Sequence, residues 1–192
     1  MENILFINAC PRENSRTLEL AKYALSKLEG EVTELPLFEE NLLPLNGKTL
    51  ALRDKMIAAE KYDHPLFKYA RQFIAADRIV LAAPFWDLSF PSAVKIWLEY
   101  VMAKEITFRY TEEGFPCGLC KAKKLFYIST AGGPALPSHM GFSYVDALAK
   151  SYFGIPETVL FSAENLDVVG ADTAAILTKA KEEIDNYWRN HA

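Results

Sequence analysis

Five short strand-like segments that alternate with helical stretches constrain the fold of this chain more than any other feature. Their residue ranges are 3–9, 31–35, 78–83, 123–130 and 157–163. Between them, apolar residues recur every three or four positions, as on the buried side of a helix. Strands that alternate with helices predict an α/β fold, in which a doubly wound sheet of five parallel strands carries helices on both faces.

Length, charge and cysteine content narrow the class of protein. The 192 residues contain no repeat or linker, so we expect a single domain over residues 1–192. With 21 basic and 25 acidic residues, the chain has no basic surplus that would favour nucleic acid. No apolar stretch approaches the roughly 20 residues of a membrane span. Three cysteines and no signal peptide predict reduced thiols and a cytoplasmic location.

Three loops are the predicted place of a binding site. In doubly wound sheets, ligands bind beyond the carboxyl ends of the strands, at the point where the strand order reverses. The loops that follow the first, third and fourth strands cover residues 10–17, 84–91 and 130–141. They are also the loops of most unusual composition, so we expect them to meet around one crevice.

The first of these loops has the composition of a phosphate site. Ser15 and Thr17 supply hydroxyl groups, and Arg16 or Arg12 supplies charge, at the start of a helix whose unpaired N–H groups attract anions. The loop has no glycine, so it is neither a P-loop nor a GxGxxG turn. Helix capping by Ser15 or Thr17 alone explains these residues equally well.

The second and third loops are suited to a flat ligand. Two prolines stiffen residues 84–91, and the aromatic side chains of that loop can flank a ring; ordinary loop packing is the alternative. In the third loop, Gly132 and Gly133 permit positive φ values and a close approach of the backbone to a ligand. A tight turn with no ligand explains the same glycines.

Four motifs carry a resemblance to a known family. They are residues 15–17 (SRT), 82–87 (AAPFWD), 106–114 (ITFRYTEEG) and 130–133 (TAGG). On these motifs the chain resembles, over essentially its whole length, the flavodoxin-like NAD(P)H:quinone oxidoreductases and the FMN-dependent NADH-azoreductases. The resemblance implies a flavodoxin-like sheet with the strand order 2-1-3-4-5.

The resemblance also implies the chemistry. NADH or NADPH would reduce bound FMN, and a flat aromatic acceptor such as a quinone or an azo compound would reoxidise it in a ping-pong sequence. The implied FMN-binding residues are Ser15, Arg16 and Thr17 at the phosphate, Pro84, Phe85, Trp86, Asp87 and Leu88 beside the isoalloxazine ring, and Thr130, Ala131, Gly132 and Gly133 at its pyrimidine side. No catalytic side chain and no metal site is expected, because the flavin carries the reaction. A flavodoxin-type electron carrier without nicotinamide turnover is the alternative.

Two positions depart from the family pattern. Asp87 stands where the azoreductases usually have Asn, and a carboxylate near the ring would disfavour an anionic reduced flavin. The change is harmless if only the backbone N–H of Asp87 is used. Ala9 and Cys10 replace the serine that usually follows the first strand, so one phosphate contact is missing or replaced.

The remaining motifs give weaker expectations. The CxxC segment at residues 117–120 has no second pair to complete a four-ligand metal site, so we expect it to have no metal or redox role. His139 either donates to an acceptor oxygen or is a solvated loop residue.

A homodimer with active sites at the subunit interface is the last expectation. It follows from the resemblance, because in that family aromatic residues of one subunit help to cover the flavin of the other. Several aromatic side chains fall in segments that we place near the crevice, and an apolar patch of that kind usually marks an interface. These residues are Trp86, Phe90, Trp97, Phe108, Tyr110 and Phe115.

Overall fold

A parallel five-stranded sheet forms the centre of the computed structural model, which describes residues 1–135 and 140–191. The strands of this sheet are β1 (Asn3–Asn8), β2 (Glu31–Pro36), β3 (Arg78–Ala82), β6 (Lys124–Thr130) and β7 (Glu157–Ala163). Two further strands, β4 (Phe108–Tyr110) and β5 (Pro116–Gly118), pair only with each other. The sheet has the order β2-β1-β3-β6-β7, and every pair in it is parallel. The sequence therefore predicts the five strands and their order correctly, and misses the separate pair formed by β4 and β5.

Helices cover both faces of this sheet. They are α1 (Arg16–Leu25), α2 (Gly47–Ala58), α3 (Lys68–Ala75), α4 (Ser92–Val101), α5 (Met140–Leu148) and α6 (Thr173–His191). Because successive side chains of a strand point to opposite faces, Ile4 and Phe6 of β1 pack with α1 and α6, while Leu5 and Ile7 pack with α3 and α4. Each such buried side chain contributes about 1.5–3 kcal/mol, so the two cores hold the helix starts firmly at the sheet.

The helical segment that begins with α5 changes its form before it ends. The α-helix stops at Leu148, and residues Ala149–Phe153 form a π-helix that ends at Gly154 in the left-handed region, φ 71°. The Ala149 carbonyl accepts from both Gly154 and Ile155 across this wide turn. The turn places the Phe153 ring in the core, 4.7 Å from the ring of Phe73.

The β4–β5 hairpin explains the CxxC segment. Backbone of Gly118 lies so close to Gly154 that any Cβ at position 118 would overlap the Gly154 nitrogen. Cys117 is exposed beside it, whereas Cys120 is buried with its Sγ 3.6 Å from the Thr107 carbonyl oxygen. The spacing of this motif therefore reflects hairpin packing.

The Gly118–Gly154 contact makes a testable prediction. Substituting Gly118→Ala should lower the free energy of unfolding by about 1–3 kcal/mol, because a methyl group cannot enter without moving two backbone segments. Gly47→Ala is the matched control, since nothing lies within 4 Å of its Cβ position. Urea unfolding of the three proteins measures the difference, and equal midpoints for all of them would contradict the packing described.

Candidate functional site

A cavity of about 260 Å³ opens at the carboxyl ends of the central strands, where the three predicted loops meet. The first loop contributes Pro11, Arg12, Asn14, Ser15, Arg16 and Thr17 to its lining. The second contributes Pro84, Phe85 and Trp86, and the third contributes Thr130 and Gly132. The convergence expected from the sequence is therefore present.

The start of α1 forms the polar end of this cavity. Ser15 is the N-cap, with extended backbone (φ −76°, ψ 120°), and its Oγ accepts the Leu18 N–H at 3.3 Å. Ser15 therefore caps α1. The backbone N–H groups of Arg16 and Thr17 lie in the first turn, where an α-helix provides no partner. They remain available to an anion, and the helix dipole adds positive potential there.

Thr17 joins the first loop to the third. Its side chain is 1% exposed, and its Oγ1 lies 2.6 Å from Oγ1 of Thr130, which is also buried. Either hydroxyl can be the donor. The Thr17 hydroxyl that the sequence assigns to a phosphate thus already has a hydrogen-bond partner inside the chain, whereas its backbone N–H lies in the first turn of α1.

The second loop ends in a tight turn with unusual backbone geometry. The Phe85 N–H donates to the Thr130 carbonyl at 3.0 Å, and Trp86 and Ser89 exchange two backbone hydrogen bonds. Asp87 and Leu88 between them have φ values of 50° and 67°, which define a type I′ turn.

The turn places its strained residues outside the cavity lining. Leucine rarely adopts a positive φ, and such strain clusters at functional sites. Trp86 lines the cavity, whereas Asp87 and Leu88 form the exposed tip of the turn just beyond it.

The glycine turn corrects one expectation from the sequence. Neither Gly132 nor Gly133 has a positive φ. The space over Gly132 is instead occupied by the Asp167 carboxylate, which would have to move if a Cβ were present there. Nothing lies within 4 Å of a Cβ at Gly133, so the structure gives no reason for that glycine. Ala131 continues the ladder through its N–H to the Ala163 carbonyl, 2.9 Å.

The loop after β7 adds a residue that the sequence did not reveal. Asp167 lines the cavity, and its Oδ1 lies 2.9 Å from Nη2 of Arg16. The Arg16 Nη1 donates to the Leu166 carbonyl at 3.1 Å. The sequence could have indicated this loop, because ligands bind beyond the carboxyl ends of strands and the loop follows β7, the fifth strand of the sheet.

Asn8 and Cys10 lie where β1 leads into the first loop. The Asn8 side chain donates through Nδ2 to Glu34 of β2 at 2.8 Å, and its Oδ1 accepts the Cys10 N–H at 3.0 Å. Burial raises the pKa of the Cys10 thiol to about 11; the charge of Glu34 adds to this effect and a hydrogen bond with Ser15 opposes it. Cys10 is therefore a neutral thiol at physiological pH and not a nucleophile.

Other kinds of site find no support in the described residues. Within 1–135 and 140–191, no group of three or more His, Cys, Asp and Glu side chains is arranged to hold a metal ion. In the same part of the chain, no helix has both the length and the apolar character needed to cross a membrane. His139 lies outside the described residues.

The strand order and the cavity at the switch point define a doubly wound protein of the flavodoxin class. The family description "Flavodoxin-like fold" matches residues 2–188. The chain belongs to this flavodoxin-like family, and its similarity extends to named enzymes within it.

The relatives agree in length as well as in sequence. The chain is 37% identical to FMN-dependent NADH:quinone oxidoreductase 2 of Clostridium acetobutylicum, over 97% of this chain and 100% of that protein. It is 33% identical to an FMN-dependent NADH:quinone oxidoreductase of Coprothermobacter proteolyticus, with 96% and 97% covered. A crystal structure of an azoreductase from Bacillus anthracis superposes with a TM-score of 0.85 at 25% identity, with 99% and 100% covered. The resemblance stated from the motifs is confirmed.

The thiol environments predict an order of chemical reactivity. At pH 8, iodoacetamide should modify exposed Cys117 first, and Cys10 and Cys120 at least about tenfold more slowly, because only the thiolate reacts. Burial raises the pKa of Cys120 to about 12, and both of these thiols should react faster as the pH rises toward 11. Peptide mass spectrometry measures each rate; labelling of Cys10 as fast as Cys117 would contradict the partly buried, neutral thiol.

Proposed function

We propose that this protein is an FMN-dependent NADH:quinone oxidoreductase that passes two electrons from a nicotinamide through bound FMN to a flat acceptor, such as a quinone or an azo compound. The meeting of three loops around one cavity at the ends of β1, β3 and β6 carries this proposal. Relatives of the same length that bear this name support it. FMN supplies the electron transfer when bound, and the protein supplies binding, orientation and electrostatics.

The polar end of the cavity fits a phosphate monoester. It combines the helix dipole of α1, the free N–H groups of Arg16 and Thr17, the Ser15 hydroxyl and the Arg16 guanidinium. We propose that Ser15, Arg16 and Thr17 hold the FMN phosphate, Thr17 through its backbone. A second nucleotide-binding turn, as FAD would require, is not found in the sequence.

The apolar and backbone-rich end of the cavity fits a flat ring. Pro84, Phe85 and Trp86 form one wall, and the turn of residues 86–89 is rigid because both of its ends are hydrogen-bonded. We propose that this wall, the tip residues Asp87 and Leu88, and the opposite turn border the isoalloxazine. The opposite turn comprises Thr130, Ala131, Gly132 and Gly133.

The two departures from the family pattern fit this assignment. Asp87 is exposed at the tip of the turn, where its backbone N–H can serve a ligand while its carboxylate faces solvent. Cys10 replaces a phosphate-binding serine, and its thiol lies 3.9 Å from the Ala82 carbonyl, so it contributes no strong donor to an anion. In this proposal the phosphate is held by the first residues of α1 together with the N-cap residue Ser15.

The proposal is tested by identifying the flavin and following its reduction. Chromatography of the flavin released on denaturation should show FMN, and stopped-flow absorbance should show bleaching by NADH and recovery on addition of a quinone. FAD, or no flavin after reconstitution with FMN, would overturn the proposal. FMN that stays oxidised in the presence of NADH would instead support an electron carrier.

We also propose that the working unit is a homodimer with the flavin sites at its interface. Large apolar side chains are exposed at the turn and on the hairpin: Trp86 39%, Leu88 48%, Tyr110 47% and Phe115 69%. Exposed apolar surface usually marks interfaces. Fewer aromatic residues are exposed than the sequence indicates. Trp97 is buried in the core, and Phe108 is buried against Tyr110 and Tyr152.

A charge on the hairpin tests the dimer. Tyr110→Asp should raise the dimer dissociation constant at least about tenfold, equivalent to ~1.4 kcal/mol, and lower quinone turnover with it. Phe38→Asp is the matched control, since Phe38 is an aromatic residue of similar exposure, 48%, outside the proposed interface. Sedimentation at low micromolar concentration measures both. A monomeric wild-type protein with full activity would contradict the proposed dimer.

We also propose that the protein is cytoplasmic and consists of a single domain. Its three cysteines are free thiols, and one of them, Cys117, is exposed. Unpaired exposed thiols persist in a reducing compartment, which supports a cytoplasmic location. The match of the family over residues 2–188 supports one domain over 1–192.

A further inference from the structure

An ion pair crosses the polar end of the cavity. The Arg16 guanidinium donates through Nη2 to Asp167 Oδ1 at 2.9 Å and through Nη1 to the Leu166 carbonyl at 3.1 Å. Both charged residues line the cavity beside the start of α1. The one guanidinium in the proposed phosphate-binding set is therefore engaged by a carboxylate of this chain.

The backbone that carries Asp167 is held in place by the glycine turn. The Asp167 N–H donates to the Gly132 carbonyl at 2.8 Å, and the Leu166 N–H donates to the Ala131 carbonyl at 3.2 Å. Asn165, just before them, has a left-handed φ of 65° that bends the loop toward the turn. The carboxylate fills the space over Gly132 that a Cβ would occupy. Its presence in the cavity thus follows from the fold.

On the basis of the proposed function, we propose that Asp167 is a positioning residue that competes with the FMN phosphate for Arg16 and so makes the cofactor readily exchangeable. A phosphate at the start of α1 would carry up to two negative charges, and the Asp167 carboxylate lines the same cavity. Like charges in one site raise the free energy of the bound anion. Binding of the phosphate therefore weakens the Arg16–Asp167 pair.

The direction in which phosphate affinity changes follows from the contacts that remain when the Asp167 carboxylate is removed. The Leu166 carbonyl still accepts from Arg16 and keeps the guanidinium at the cavity. Its charge is then no longer neutralised, so phosphate binds more tightly. The side chains of Arg16 and Asp167 are 33% and 65% exposed, so solvent screens the interaction and keeps the change moderate.

The experiment compares FMN with riboflavin, which lacks the phosphate. Flavin fluorescence quenching on titration of the apoprotein measures both dissociation constants for the wild type and for Asp167→Asn. We expect FMN to bind roughly three- to tenfold more tightly to the variant, with slower release. Riboflavin affinity should not change. The gain in FMN affinity should shrink as the salt concentration rises, because it is electrostatic.

Three further variants separate this role from general effects. Asp167→Glu keeps the carboxylate and should behave like the wild type. Asp54→Asn removes one negative charge from the exposed face of α2 and should leave FMN affinity unchanged. In an Arg16→Gln background, Asp167→Asn should lose most of its effect, because the competition acts through Arg16.

The outcomes distinguish this inference from the proposed function. Weaker or unchanged FMN binding by Asp167→Asn, or an equal gain for riboflavin, would overturn the competition while leaving the enzyme assignment intact. A wild-type protein that binds neither flavin would overturn the proposed function itself. The thermal midpoint of each apoprotein shows that the variants are folded.

Discussion

The parallel register of β1, β3 and β6 is the constraint on which the site depends. Asn8 pairs with Ala82, and Ala82 pairs with Ile128, so β1 and β3 end at the same level and β6 continues two residues further, to Thr130. The ladder then continues into the loops, where the Ala83 N–H reaches the Ile128 carbonyl and the Phe85 N–H reaches Thr130. A shift of one residue in any pair would invert its core-facing side chains, so burial of both faces fixes the level at which the loops meet.

The polarity of the site follows from that geometry. Parallel strands deliver the amino end of α1 to the carboxyl edge of the sheet, and the helix dipole with its free N–H groups makes this edge attractive to an anion. The Arg16–Asp167 pair adds one charge of each sign to the same edge, so it provides a basic group without a net surplus. In the proposed binding mode, oriented backbone groups would hold the phosphate and these two side chains would adjust its affinity.

Most of the fold was predictable because strand and helix periodicities are local properties. The hairpin of β4 and β5 was not, since its three-residue strands are too short to show alternation and its key residue, Gly118, is required by contact with Gly154, which lies 36 positions later in the chain. The π-helix before Gly154 has no local signature either. The hydrogen bond of the Thr17 hydroxyl is made with Thr130, a neighbour only in space.

The sequence by itself determined the α/β class, the strand order through family resemblance, and the three loops that surround the cavity. These features rest on local hydrophobic patterns and on motifs that are continuous in the chain. The tertiary structure alone decided how the side chains are used: that Ser15 caps α1, that Gly132 makes room for Asp167, and that Asp87 and Leu88 form a strained, exposed tip. Those outcomes depend on contacts between segments far apart in sequence, because only packing places the loop after β7 against the start of α1.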